Sequence, residues 1–128
     1  MSNRRGFTLA ELMITVVIVG ILAVMAIPRL SYVKDRSIMA SMKSDLHNLA
    51  TRQEAYFYDN NSYSADLSAL RSAGFQTSDG VIIAIAEATP TGWSASAGHS
   101  ASDKECGLYV GNAAPVAAAP SEGTIGCQ

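Results

Sequence analysis

The residues in this chain able to take part in chemistry are few. There are two cysteines, Cys106 and Cys127, and two histidines, His47 and His99. In an oxidising compartment the cysteines can close one loop, and a loop of about 20 residues stabilises a fold by roughly 3 kcal/mol in the chain-entropy picture. Two unrelated free thiols are the alternative. A metal site is not indicated: the cysteines do not form a Cys-x-x-Cys pair, and neither histidine sits at ligand spacing beside them. His47 and His99 read as solvated surface residues. No serine lies in a strained elbow motif. Asp59 with Asn60 and Asn61 reads as a turn rather than a calcium loop, because too few carboxylates are close in sequence. Asn60-Asn61-Ser62 matches a glycosylation triplet, a weak signal by itself. No catalytic constellation emerges, no cofactor is implied, and the chain reads as something other than an enzyme.

The remaining reactive feature is chemistry done to the chain. Residues 1–6, Met-Ser-Asn-Arg-Arg-Gly, precede a run at 7–27 in which Glu11 is the one ionisable side chain. At 1.5 Å per residue this run makes a helix about 30 Å long, the thickness of a bilayer core. A secretory signal cut after Ala26 fits Arg4 and Arg5, but Glu11 sits badly in such a segment and the run is long for one. A plain membrane anchor fits the length and leaves Glu11 unexplained. Arg29, Lys34 and Arg36 beyond the run offset the positive charge before it, so charge asymmetry does not set an orientation. Cleavage between Gly6 and Phe7 accounts for every feature. It removes the basic leader, keeps the apolar helix and creates an amine four residues from Glu11. A carboxylate in an apolar layer needs a partner. The amine on Phe7 of a neighbouring subunit supplies one, and the pairing fixes the register between adjacent helices.

Gly6-Phe7-Thr8-Leu9-Ala10-Glu11-Leu12-Met13 resembles the class III signal of the type IV pilins and of the pseudopilins of type II secretion systems. Close similarity covers about residues 1–35. The resemblance implies that a membrane prepilin peptidase cuts after Gly6, that Phe7 becomes the N-methylated first residue, and that Glu11 neutralises a neighbour's amine during assembly. It also implies that Gly20 and Pro28 bracket a stretch of helix able to unwind in a filament. Independent physics supports that last expectation. Glycine costs about 1 kcal/mol inside a helix, and Pro28 removes the bond to the Val24 carbonyl. A simple kink at Pro28 is the alternative.

These features require a particular scaffold. Residues 1–6 read as a cleaved leader, 7–29 as a transmembrane and filament-core helix, 30–57 as its amphipathic continuation, and 58–128 as a globular head. Met39, Met42, Leu46, Leu49, Gln53 and Tyr56 recur at three- and four-residue steps on one helix face, while Lys43, Asp45, His47, Asn48, Thr51, Arg52 and Glu54 occupy the rest. An apolar stripe of this kind needs a cover, and the head is the obvious one. A coiled-coil dimer is disfavoured by the short repeat and by Gln53. Ser64 is expected to cap a short helix at 65–72, with Asp66 in its first turn and Gly74 after its end. Val81–Ala86 reads as a buried strand, Trp93–Ala97 as a half-buried one and Glu105–Val110 as a third, with a loop from Gly98 to Asp103. The tail from Gly111 to Gln128 is poor in regular structure, and a Cys106–Cys127 bridge pins it back.

The expected fold is therefore α+β: a long N-terminal helix packed on a small antiparallel-sheet head of three to four strands. The expected function is a structural subunit of a type IV pilus that polymerises with itself, serving adhesion, motility or DNA uptake through the filament. Its partners are then other copies, the prepilin peptidase and the assembly machinery. Its location is the inner membrane as precursor and the bacterial exterior as filament. A type II secretion pseudopilin and an uncleaved, membrane-anchored binding module are the alternatives. In the family, the loop after the long helix and the disulfide-closed loop form much of the variable filament surface. They correspond here to 58–80 and 106–127. With a charged fraction of 16% and a formal net charge of −2, the chain lacks the clustered basic face of a nucleic-acid binder. Tyr56-Phe57-Tyr58 reads as packing where helix meets head rather than as a path for electrons, and no haem motif accompanies it.

Overall fold

A computed structural model of the chain describes residues 6–116 and 118–128. The basic leader residues Arg4 and Arg5 lie outside the described residues. The chain divides into two units, Met1–Lys34 and Asp35–Gln128. One helix, α1, runs over Leu9–Asn60 with Pro28 inside it. In the single chain the helix thus continues through both Gly20 and Pro28. It ends three residues later than the apolar pattern suggests. Asn61 adopts a left-handed conformation (φ 53) and the Asn60 Nδ2 donates to the Tyr56 carbonyl, which together stop the helix.

In the first unit, the described residues of α1 are all exposed, and from Leu12 to Ile27 they are almost wholly apolar. Large side chains from Phe7 to Val33 are exposed along the segment. The helix is long and apolar enough to cross a membrane.

In the second unit, α1 is amphipathic and its stripe is buried. Ile38, Met42, Leu46 and Leu49 pack with Leu70, Phe75 and the inner face of a four-stranded sheet. The strands are β1 (Val81–Thr89), β2 (Gly92–His99), β3 (Ser102–Gly111) and β4 (Gly126–Cys127). Their order is β1-β2-β3-β4, all antiparallel. Val81 and Ile83, Trp93, Ala95 and Ala97, and Cys106 and Leu108 are buried against the helix. Alternation along a strand sends these residues to one face.

Several elements differ from the sequence reading. β1 is not buried on both sides: it is an edge strand, its burial alternates, and Ile82 is 65% exposed. A single helix covers only one face of the sheet, so a continuous apolar run need not mean a fully buried strand. The loop expected at 98–103 shrinks to a turn, because β2 and β3 extend to His99 and Ser102. The Nδ1 of His99 accepts from the Ala101 N–H (3.0 Å) in that turn.

The short helix α2 spans Leu67–Ser72, and its N-cap is Asp66, not Ser64. Asp66 accepts from the Ser68 N–H (2.8 Å) and hydroxyl (2.6 Å), which holds its carboxyl below the usual carboxylate range. At the other end Gly74 (φ +93) donates to the Arg71 carbonyl and Phe75 to that of Leu70, a two-bond stop that favours glycine. The Ser64 hydroxyl stops one step short of the helix, accepting from the Asp66 N–H (3.1 Å), while the Ser64 backbone bonds Gln53. Its N–H donates to the Gln53 side-chain oxygen (2.9 Å), and its carbonyl accepts from Gln53 Nε2 (2.8 Å). Gln53 is fully buried and satisfied at both ends of its amide.

Asp45 also departs from its expected place on the polar face. It is only 2% exposed and accepts from the Ser78 N–H (2.7 Å) and hydroxyl (2.9 Å). This clamp holds the segment before β1 against α1. Asp45→Ala leaves two part-buried Ser78 donors without their acceptor and is expected to destabilise the head by about 1 kcal/mol, read as a lowered denaturation midpoint. An unchanged midpoint contradicts that role.

Candidate functional site

The site expected to carry function is the start of α1. Gly6 and Phe7 precede the helix, and Phe7 is 80% exposed. A Cβ at Gly6 would meet nothing within 4 Å among the described residues. The same is true of Gly20.

Thr8 is the residue before the first helical turn. Its hydroxyl accepts from the Glu11 N–H (3.2 Å), and Glu11 Oε2 in turn accepts from the Thr8 N–H (2.9 Å) and hydroxyl (2.8 Å). This is a reciprocal capping box, in which each residue satisfies a backbone donor left over at the helix start. The sequence reading missed it, although the signal, threonine followed three residues later by glutamate, was present. Both donors from Thr8 fall on the same oxygen, Oε2. Among the described residues Oε1 has no hydrogen-bond partner, so a second donor can be added without opening the box.

The second candidate feature lies at the other end of the chain. Cys106 on β3 and Cys127 on β4 are Cα partners across the ladder and form a disulfide. Around it, Glu105 and Gln128 exchange two backbone bonds, and the Gly123 N–H donates to Tyr109. Two carboxylates hold the intervening tail. Glu122 Oε1 accepts from the Gly111 N–H (2.8 Å), and Glu87 Oε2 accepts from the Ala114 N–H (3.0 Å). The tail packs closely enough that a Cβ on Gly126 would run into the Ala118 carbonyl.

The aromatic cluster at the end of α1 is divided by the fold. Phe57 stacks on Tyr63 at a centroid distance of 4.8 Å, and Tyr63 lies 6.4 Å from Trp93. The Tyr63 hydroxyl donates to Glu54 (3.1 Å), and partial burial with that neighbouring carboxylate pushes the phenol pKa up. Tyr58 points away, 87% exposed. Among the described residues no three His, Cys, Asp or Glu side chains are grouped to hold a metal ion.

Residues 1–27 match the family model described as the prokaryotic N-terminal methylation motif. The chain is 35% identical over 127 residues to the type IV wide pilus major component PilA4 of Thermus thermophilus, covering 94% of this chain and 97% of that one. It is 47% identical over 62 residues to the type IV major pilin protein PilA of Myxococcus xanthus, covering 48% of this chain but 28% of the relative. It is 39% identical over 62 residues to the type II secretion system core protein G of Klebsiella michiganensis, with 48% of this chain and 44% of the relative covered. The likeness to the secretion protein thus extends over half of the chain, whereas the likeness to PilA4 runs through helix, sheet and tail alike. With a methylation motif at its start, a long helix on a four-stranded antiparallel sheet, and identity to a pilus component along almost its whole length, the chain belongs to the type IV pilin family.

Proposed function

We propose that this chain is a structural subunit of a type IV pilus, held in the inner membrane by residues 7–29 and then polymerised through that same segment into an extracellular filament. The observation that carries the reading is the apolar start of the chain, whose large side chains from Phe7 to Val33 are exposed. A surface of this kind requires lipid or other helices around it. Exchanging lipid for neighbouring copies satisfies it in both states. Contacts between unlike patches on successive copies do not close on themselves, which is what an open filament needs.

Within this reading the peptidase cuts between Gly6 and Phe7, and Phe7 is methylated. The openness around Gly6 is consistent with a requirement imposed by the peptidase rather than by the fold. Glu11 then pairs with the amine of a neighbouring Phe7. Gly20 and Pro28 mark the stretch of α1 that unwinds on assembly, its ladder already weakened at Val24 by proline. The partners are other copies, the prepilin peptidase and the assembly machinery. Adhesion, surface motility or DNA uptake belongs to the filament.

The near full-length identity to a pilus component favours a pilus over a secretion pseudopilin. The test is expression of the full chain in a piliated bacterium whose own major pilin has been deleted. Filaments sheared from the surface are expected to consist of this chain. Retention of all the protein in the membrane fraction contradicts the reading.

A further inference from the structure

A cleft of about 290 Å³ lies between α1 and the segment that leaves α2. Asn48, Thr51 and Arg52 line it from the helix, and Gly74, Phe75 and Gln76 from the other side. All six belong to the second unit. Phe75 is buried in the core, whereas Asn48, Thr51, Arg52 and Gln76 are exposed. Small-molecule sites run from roughly 300 to 1,000 Å³, so this one has room for a single ring rather than a chain.

Among the described residues Arg52 is the one cation lining the cleft, and no carboxylate lines it. A Cβ at Gly74 would lie 3.5, 3.6 and 3.8 Å from Nη2, Cζ and Nη1 of Arg52. With Cζ as near as the two nitrogens, it is the flat face of the guanidinium that rests on Gly74. The N–H groups lie in the guanidinium plane, so this contact leaves them able to donate. Among the described residues the side chains of Asn48, Arg52 and Gln76 have no hydrogen-bond or ionic partner. Thr51 donates its hydroxyl hydrogen to the His47 carbonyl (3.1 Å) and keeps an oxygen that accepts. The cleft thus holds a positioned fork without an anion, beside two amides and a hydroxyl oxygen.

We propose that this cleft binds an acidic sugar, a uronic acid residue of a polysaccharide, through its carboxylate. A guanidinium fork meets a carboxylate with two parallel hydrogen bonds, a fit that a point charge lacks. Resting the fork on Gly74 lowers the ordering that this contact requires. Beside its carboxylate a sugar ring carries hydroxyls. Thr51 accepts from one, and the Asn48 and Gln76 amides can each donate and accept. The lining therefore matches both parts of a uronate, one negative charge and several hydroxyls. Nucleic acid fits less well, because a row of phosphates calls for a row of cations and here there is one. The site lies within the head and goes beyond the pilus-subunit reading without depending on it.

The test is calorimetric titration of the full chain, in neutral detergent, with a trimer of galacturonic acid and with the same trimer methyl-esterified. The ester keeps the rings and their hydroxyls and removes the charge. The acid is expected to bind, and the ester to bind at least about tenfold more weakly. Arg52→Gln should weaken binding of the acid by a similar factor at an unchanged denaturation midpoint. Arg52→Lys keeps the charge, loses the fork and should recover only part of the affinity. Lys104→Gln removes a charge on the sheet and should change binding by about twofold or less. No binding of the trimer, equal binding of acid and ester, or undiminished binding by Arg52→Gln overturns the proposal. So does displacement of the trimer by an equal concentration of inorganic sulfate, which makes the cleft a general anion site. Tighter, Arg52-dependent binding of single-stranded DNA overturns it in favour of a nucleic acid.

Discussion

Glu11→Gln is expected to leave leader cleavage intact and to reduce surface filaments by tenfold or more. The substitution keeps a side-chain oxygen able to accept from Thr8, so the helix start survives in large part. What it removes is the negative charge. Without it, the amine on a neighbouring Phe7 enters an apolar bundle unpaired, at a cost of a few kcal/mol. Each 1.4 kcal/mol is a factor of ten in an equilibrium, so even a partly screened pair gives a large effect. Thr8→Ala separates the two roles of the carboxylate. It deletes the capping partner, worth about 1 kcal/mol, and retains the charge. Filament yield should therefore fall much less for Thr8→Ala than for Glu11→Gln. Quantifying sheared filaments and the processed chain in parallel reads both steps. Normal filaments from Glu11→Gln would remove charge pairing from the account.

Cys127→Ser is expected to be the most destabilising single change in the head outside its core. The Cys106–Cys127 bridge closes a loop with a sequence separation of 21, a size for which loop closure is worth roughly 3 kcal/mol. In a domain of this size that corresponds to about 10–20 °C in the unfolding midpoint. The tail has few other anchors, chiefly the two-residue strand β4 and the carboxylates of Glu87 and Glu122. Its loss should therefore appear first as proteolysis within 112–128. Cys106→Ser should cost more, because Cys106 is fully buried and a hydroxyl there needs a partner that the apolar surroundings do not offer. Thermal melting of the full chain in detergent, with and without reductant, measures the effect. A midpoint insensitive to reductant contradicts it.

The parts of the chain legible in the sequence are those whose determinants are local. The Gly-Phe-Thr-x-x-Glu run, the bilayer-length apolar stretch and the helix stripe that follows each show their pattern within a few turns of helix. The hairpin strands were visible in position, though their ends were not, since strand length depends on the partner. What escaped were contacts made over distance. Asp45 reads as a surface carboxylate until Ser78, 33 residues on, supplies its donors. Gln53 reads as an interruption of the stripe until the Ser64 backbone turns it into a satisfied core residue. The cap of α2 falls on Asp66 because the helix starts at Leu67, and the Ser64 hydroxyl reaches only the Asp66 N–H. Ile82 is exposed because one helix covers one face of the sheet, a matter of layers that no single strand encodes. Thr8 is different. Its capping box is local and was readable, but membrane length and the charge of Glu11 explained the segment without it.

The measurement that bears most directly on the central claim is the mass of the N-terminal peptide from filaments sheared off the cell surface. If the apolar helix is kept, given a new charged end and used as the filament core, that peptide begins at Phe7 and carries one methyl group. A peptide beginning at Met1, or a secreted chain beginning at Ile27, contradicts the account.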